Sequence, residues 1–287
     1  MKIRRVRKND AANYFAIQTD ALETFRYRIR DDEPITWQEH PEVVDISLNT
    51  LCDGACPYCY TSATRRGSNY KNVVEKIVAW LESLEMNERP FQVAFGGGGE
   101  PTMHPDFFNA LLMCRIFGVV PNYTTNGLHV TEELLRATEA MCGGVAVTAH
   151  EHLPFMDAVK AFSSRGIRTN VHVIVGQNGS AERARRIRKE VPSEVESVVL
   201  LPLVATGFAR RMSPVEKEVM EAARIAATEP GYAIGAMYAP YISSYPDAFK
   251  SFSLYDETMY SGYLVLDDPV KMYVSSFNLK ERNHEVR

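Results

Sequence analysis

The sequence predicts an α/β fold: a partial (β/α)6 TIM-type barrel with a short N-terminal β-hairpin and a C-terminal α+β extension. Three observations carry that prediction. From residue 43 onward, short β-branched runs alternate with stretches of helical periodicity. The links between them are short, which implies parallel strands joined by right-handed crossovers. Chemically distinctive residues follow the first three β runs, and a barrel keeps its reactive groups at the C-terminal ends of its strands.

Taken in order, strands are expected near 43–49, 91–96, 120–125, 144–149, 170–176 and 197–204. Helices are expected near 71–86, 105–117, 131–141, 154–165 and 181–190. In the first helix Val73, Val74, Ile77, Val78, Trp80, Leu81 and Leu84 recur on one face. The third opens with Thr131-Glu132-Glu133, acids at the end of a helix that favours them. Residues 1–42 hold two β-like runs, 13–17 and 24–29, expected to pair as a hairpin over the base or the open side of the barrel. Residues 43–212 are the barrel. Residues 213–287 begin with a helix to about 228, with Ser213-Pro214-Val215-Glu216 as its capping box. A tyrosine-rich stretch follows, and 259–276 reads as a hairpin turning at Asp267-Asp268-Pro269.

Composition excludes several function classes. Lys and Arg total 32 against 36 Asp and Glu, a formal net charge of −4, which is no nucleic-acid footprint for the whole chain. Two local basic runs exist: Lys2, Arg4, Arg5, Arg7 and Lys8 at the start, and Arg183, Arg185, Arg186, Arg188 and Lys189 on one helix, read as a solvated face. No apolar stretch approaches the ~20 residues of a membrane span. The five cysteines are an odd count and no apolar signal stretch opens the chain, so a cytoplasmic protein with reduced thiols is expected.

Three of those cysteines fall within eight residues, Cys52-x-x-x-Cys56-x-x-Cys59. Cys thiolates normally hold all four irons of a [4Fe–4S] cluster, and this run supplies three. One iron would be left open to bind a small molecule. Zinc is the alternative, although its sites usually pair two C-x-x-C units, and only one is present. Cys114 and Cys142 stand alone among apolar residues and read as small buried hydrophobes. After the second strand comes Gly96-Gly97-Gly98-Gly99-Glu100-Pro101: glycines that permit close backbone approach, then a carboxylate suited to an ammonium group. The third strand ends Thr124-Thr125-Asn126-Gly127.

Cys52-x-x-x-Cys56-x-Tyr58-Cys59, Gly98-Gly99-Glu100-Pro101 and Thr124-Thr125-Asn126-Gly127 together resemble the radical S-adenosylmethionine (SAM) superfamily over roughly residues 43–210. The resemblance implies that Cys52, Cys56 and Cys59 ligate three irons while the amino and carboxylate groups of SAM chelate the fourth. It puts Tyr58 by the adenine, Gly98, Gly99 and Glu100 at the SAM amino group, and Asn126 beside them at the third strand end. Thr148 falls where a hydroxyl meets the ribose, and 173–178, with Val175, resembles the fifth-strand motif near the adenine. The 259–276 hairpin resembles the SPASM or twitch extension of some family members. No cysteine follows Cys142, so auxiliary clusters of that kind are excluded and one cluster is expected.

The implied chemistry is reductive cleavage of SAM to methionine and a 5′-deoxyadenosyl radical, which abstracts a hydrogen atom from the substrate. An electron donor such as flavodoxin or ferredoxin would supply the electron. A peptide or protein side chain is the expected substrate, and a nucleotide or other small metabolite is the alternative. A non-catalytic iron–sulfur protein for electron transfer or sensing is the reading from another class, and the Gly98-Gly99-Glu100 segment argues against it. Candidate catalytic groups are His150 and His152, just past the fourth strand, read as polar lining of the site with a metal or acid/base pair as the alternative, and Tyr260 in the tail. His104 is expected to order the loop after the glycines. Arg65 and Arg66 are either anion ligands or solvated.

Overall fold

The computed structural model describes residues 2–36, 40–238, 241 and 261–276. The N-terminal segment is a three-stranded antiparallel sheet, β1 (Ile3–Asn9), β2 (Tyr14–Thr19) and β3 (Thr24–Arg28), where the sequence suggested two strands. The extra strand is the basic run. Alternation turns Arg5 and Arg7 to the inner face. There Arg5 donates to the carbonyls of Met86, Arg89 and Pro90, and Arg7 to those of His40, Asn87, Glu88 and Arg89. Both guanidinium groups lie over the Phe91 ring, at 5.2 and 5.0 Å. A charge run that composition marks as surface is thus a strand whose arginines bind a loop.

The barrel follows as β4 (Val43–Ser47), α1 (Val73–Glu82), β5 (Gln92–Phe95), α2 (Phe107–Ile116), β6 (Val120–Thr125), α3 (Glu132–Met141), β7 (Val145–Thr148), α4 (Phe155–Ser163), β8 (Thr169–Val175), α5 (Ser180–Glu190), β9 (Ser197–Pro202) and α6 (Glu216–Thr228). Each strand pairs with the next in parallel. One set of alternate residues, including Val44, Ile46, Val93, Phe95, Tyr123, Val147, Val171 and Val173, packs beneath the helices with Leu81, Phe107, Leu111 and Phe162. The other set, half-buried, lines the lumen and is notably polar. Asp45, Asn122, Thr124, Thr148, Asn170 and His172 belong to it, and Asn122 donates to Gln92 Oε1 at 2.8 Å across neighbouring strands.

The sheet continues at both edges. β10 (Tyr232–Ile234) joins β9 in parallel, and β11 (Ser261–Val265) joins β4 in parallel, with β12 (Lys271–Tyr273) antiparallel to β11. The β11–β12 hairpin turns where Asp267-Asp268-Pro269 suggested. Lys76 of α1 anchors that turn, donating to the Leu266 carbonyl at 2.9 Å and pairing with Asp268.

The capping box at the start of α6 does not form. The N-cap is Val215 with no side-chain cap bond, because its N–H donates to the Gly176 carbonyl at 2.8 Å and fixes the helix start there. Glu218 instead accepts from Ala181 N at 2.9 Å and so caps α5. Among the described residues no helix is long and apolar enough to cross a membrane.

The N-terminal sheet covers the base of the barrel. Glu42, just before β4, has a side-chain exposure of 1 %. Its carboxylate accepts from the Tyr14 hydroxyl and from both Arg26 Nε and Arg26 Nη2. Its backbone carbonyl takes the N–H groups of Phe91 and Gln92. Burial pushes the Glu42 carboxyl up to about 8, so it acts at pH 7 mainly as a buried hydrogen-bonding group. Glu42→Ala would remove a partner of Tyr14 and Arg26 and leave a void, and a loss of about 2 kcal/mol or more is expected in urea unfolding. A change below about 1 kcal/mol would mean these bonds are as weak as an exposed pair.

Candidate SAM and cluster site

The cysteine loop leaves β4 and folds back on itself. Leu51 bridges Thr64, Asn49 bridges Asn69, and Cys52 N donates to the Thr64 carbonyl at 2.9 Å. Cys59 N donates to the Cys56 carbonyl at 3.3 Å, closing a turn around the last two cysteines. Between Cys52 and Cys56, Ala55 occupies the left-handed region at φ 50, a conformation costly for a residue with a Cβ and concentrated at functional sites. All three thiols are half-buried. Burial, then the charges of Glu100, Cys59 and Asp53, pushes the Cys52 thiol up. Burial, then Cys59 and Cys52, pushes Cys56 up to about 11.

This donor set fits an iron–sulfur cluster. Three thiolates beside Glu100 and Asp53 repel one another unless a cation is shared among them, and the burial that pushes Cys52 and Cys56 up also strengthens the attraction of their thiolates to iron. Among the described residues no three His, Cys, Asp or Glu side chains converge on a single-ion position.

The glycine segment is built against this loop. A Cβ on Gly98 would sit 2.0 Å from Ser47 Oγ, and one on Gly99 2.1 Å from the Leu51 carbonyl oxygen. Gly99 N and Glu100 N donate to the carbonyls of Asn49 and Leu51, at 2.7 and 2.8 Å. Glu100 is 3 % exposed. Its carboxylate accepts from Thr102 Oγ1 at 2.7 Å, Thr102 N at 3.3 Å and Asn126 N at 2.8 Å. Burial pushes its pKa up, and the Thr102 and Asn126 donors work against that shift. The expected ammonium acceptor is thus also the internal tie between the β5 and β6 ends.

The remaining candidates are distributed around the same opening. Tyr58 lies 6.1 Å, centroid to centroid, from His150, which lies 5.6 Å from His152. Of the two imidazoles, His152 is committed to the loop, its Nε2 at 2.6 Å from the Gly54 carbonyl. His150 Nδ1 is buried with no partner. Thr148 faces the lumen opposite His172. Val175 is 0 % exposed and packs in the outer core, so it can offer a ligand only its backbone. Tyr260 lies outside the described residues. His104 orders its loop as expected, with Nε2 at 3.0 Å from the Tyr70 carbonyl and Nδ1 accepting from Asp106 N. Arg65 and Arg66 are solvated.

Sequence reasoning missed several contributors. Arg183, read as part of a solvated face, is 7 % exposed. It donates to the Ala149 carbonyl and pairs with Glu151 at 3.3 Å, holding the turn that carries His150. A basic residue in the first turn of α5, facing β7 instead of water, was the available signal. Gly207, in a 3-10 turn after β9, approaches so closely that a Cβ would lie 2.5 Å from the Cys59 carbonyl oxygen, and Phe208 N donates to that oxygen at 2.9 Å. Asp53 and His129 were also missed.

Burial lowers His172 to about 4 from an ordinary 6.5, and His150 likewise, the latter helped by His152 and Arg183. Both are neutral at pH 7. For a histidine with a depressed folded pKa, the unfolded chain takes the proton first as pH falls. Stability is therefore lost between pH 6.5 and about 4 and restored above that window, by up to about 3 kcal/mol for a shift of this size. His172→Asn should flatten that part of the melting-temperature profile relative to wild type. Parallel profiles would show that His172 protonates freely in the folded chain.

Residues 46–148 match the family model described as the Radical SAM superfamily. Mycofactocin maturase MftC of Mycobacterium tuberculosis is 31 % identical over 107 residues, covering 36 % of this chain and 24 % of the maturase. The 7,8-dihydro-6-hydroxymethylpterin dimethyltransferase of Methanocaldococcus jannaschii is 28 % identical over 87 residues, covering 30 % of this chain and 17 % of that protein. The chain thus spans less than two thirds of these relatives. Among solved structures, Streptococcus suis SuiB bound to its precursor peptide SuiA has a TM-score of 0.61 at 14 % identity, covering 83 % of this chain and 60 % of SuiB. The anSMEcpe structure with AdoMet and the Cp18Cys peptide has a TM-score of 0.59 at 14 % identity, covering 86 % and 77 %. These two share the fold. Three cysteines, a glycine–glutamate segment and an Asn-Gly turn thus sit on successive strand ends of a parallel sheet, within the stretch, residues 46–148, that matches the Radical SAM superfamily model.

Proposed function

We propose that the chain is a radical SAM enzyme that holds one [4Fe–4S] cluster on Cys52, Cys56 and Cys59, binds SAM beside it, and acts on a peptide or protein side chain. One observation carries the reading: a loop presenting three part-buried thiols is fixed from several strand ends at once. The bound cluster would supply an electron to SAM, cleaving it to methionine and a 5′-deoxyadenosyl radical. The chain's own residues do the rest. Tyr58 and His150, with rings tilted by 36°, would offer aromatic contacts to the adenine, and Thr148 offers a hydroxyl on the lumen side. The polar lumen, with Asp45, Asn122, Asn170 and His172, would hold the substrate near the SAM 5′ carbon and keep water and reductants out. A flavodoxin or ferredoxin is the proposed electron donor.

Support for a peptide substrate comes from SuiB and anSMEcpe, each solved with a peptide, and from the maturase MftC. The pterin dimethyltransferase among the relatives favours a small metabolite as the second reading.

After anaerobic reconstitution with iron and sulfide, wild type should bind about four irons and release 5′-deoxyadenosine with SAM and dithionite. Cys56→Ala should abolish that release. A wild type that loads a cluster yet yields none, with candidate peptides and metabolites present, would sink the enzyme reading. Deuterium transfer from a labelled peptide, and not from a labelled metabolite, separates the two substrate classes. Gly207→Val should push the Cys59 carbonyl aside and cut iron retention severalfold while the circular dichroism of the apo chain is kept. Full retention would show that the loop yields without consequence.

A further inference from the structure

Asp53, the residue after the first cysteine, reaches across to the end of β6 with both carboxylate oxygens. Oδ1 accepts from Asn126 Nδ2 at 3.0 Å, and Oδ2 lies 2.9 Å from His129 Nε2. The same Asn126 amide nitrogen is 3.9 Å from Cys52 Sγ, within reach of an N–H···S bond, and Gly54 N approaches that sulfur at 3.4 Å. Asn126 cannot swing freely. Its Oδ1 accepts from Leu128 N at 2.9 Å, and its backbone N–H is held by Glu100. The amide thus arrives at Cys52 with one orientation, and that orientation depends on Asp53. His129 holds Asp53 in turn from its other oxygen. Asp53 keeps a side-chain exposure of 19 % and His129 of 38 %, so the pair sits at the rim and is not needed to fill the core.

We propose that Asp53 and His129 are positioning residues. With Asn126 they form a clasp that aims an N–H at Cys52 Sγ, and so set the retention and reduction potential of the iron that Cys52 would hold. The inference rests on the cluster reading above. A hydrogen bond to a ligating sulfur stabilises the reduced, more negative cluster, and outer partners that orient metal ligands strongly affect metal retention. Nothing in the spacing of the cysteines requires an acid after Cys52 or a histidine three residues after Asn126. Their use is visible only where the two loops meet.

The test compares wild type with Asp53→Ala, His129→Ala and His129→Gln after anaerobic reconstitution. Three quantities are read without turnover: iron loss to a chelator, midpoint potential by redox titration followed by electron paramagnetic resonance, and apo-chain melting temperature. The two alanine variants should lose iron roughly 10-fold faster, the size expected for removing an outer partner of a metal ligand, and the potential of His129→Ala, which keeps the Asp53 charge, should shift negative. His129→Gln, whose amide can still donate to Asp53, should restore both readings toward wild type. The apo melting temperature of His129→Ala should not move, because the side chain is part-exposed. Loaded wild type and alanine variants with equal iron loss and equal potentials would overturn the clasp and leave the cluster reading standing. A wild type that takes up no iron would overturn the cluster reading itself, and the clasp with it.

Discussion

The open end of the barrel depends on a backbone contact that only glycine permits. Where β5 ends, Gly98 and Gly99 press against Ser47 and Leu51 at distances no Cβ could occupy. That closeness lets Gly99 N and Glu100 N donate into the cysteine loop and brings the Glu100 carboxylate under Asn126. Two loops that diverge from neighbouring strands are thereby tied into one surface. Pre-ordering of this kind matters in radical chemistry, where misplacing a reactive carbon invites side reactions and a loose site cannot exclude water.

The two ends of the barrel use different interactions. At the base, arginines of a small added sheet bind backbone carbonyls and a buried glutamate, with Phe91 beneath them. At the mouth, the carboxylates of Glu100 and Asp53 accept from neighbouring loops and Arg183 holds the turn after β7. The proposed chemistry would thus sit at the end opposite these base contacts, the division that barrels show in general.

Much of this was legible in the sequence, for reasons that differ from feature to feature. β4 to β9 announced themselves because a parallel strand covered by helices needs β-branched runs, and each run here is bounded by helical periodicity. That Cys52, Cys56, Cys59 and Glu100 come together at neighbouring strand ends was legible because each follows a predicted strand. Arg5, Arg7 and Arg183 were not. Composition counts their charge and cannot see that a carbonyl waits for it. Gly207 was opaque for a similar reason: what demands glycine there is a carbonyl 148 positions earlier in the chain, at Cys59. The Ser213 cap failed because a tertiary bond from Val215 to Gly176 outweighed a local motif worth about 1 kcal/mol.

β11 lies beside β4, although more than two hundred residues of sequence separate them. A ribosome delivers β4 and the cysteine loop early and β11 late. During that interval β4 is a bare edge, its outward N–H and C=O groups unpaired, next to three reduced thiols. The pairing is of very high contact order and is slow to form by chance. Nascent chains therefore present an adhesive strand and an oxidisable loop side by side until residues 261–265 arrive. Yield in the cell should be governed by what shields that edge during synthesis as much as by the stability of the finished fold.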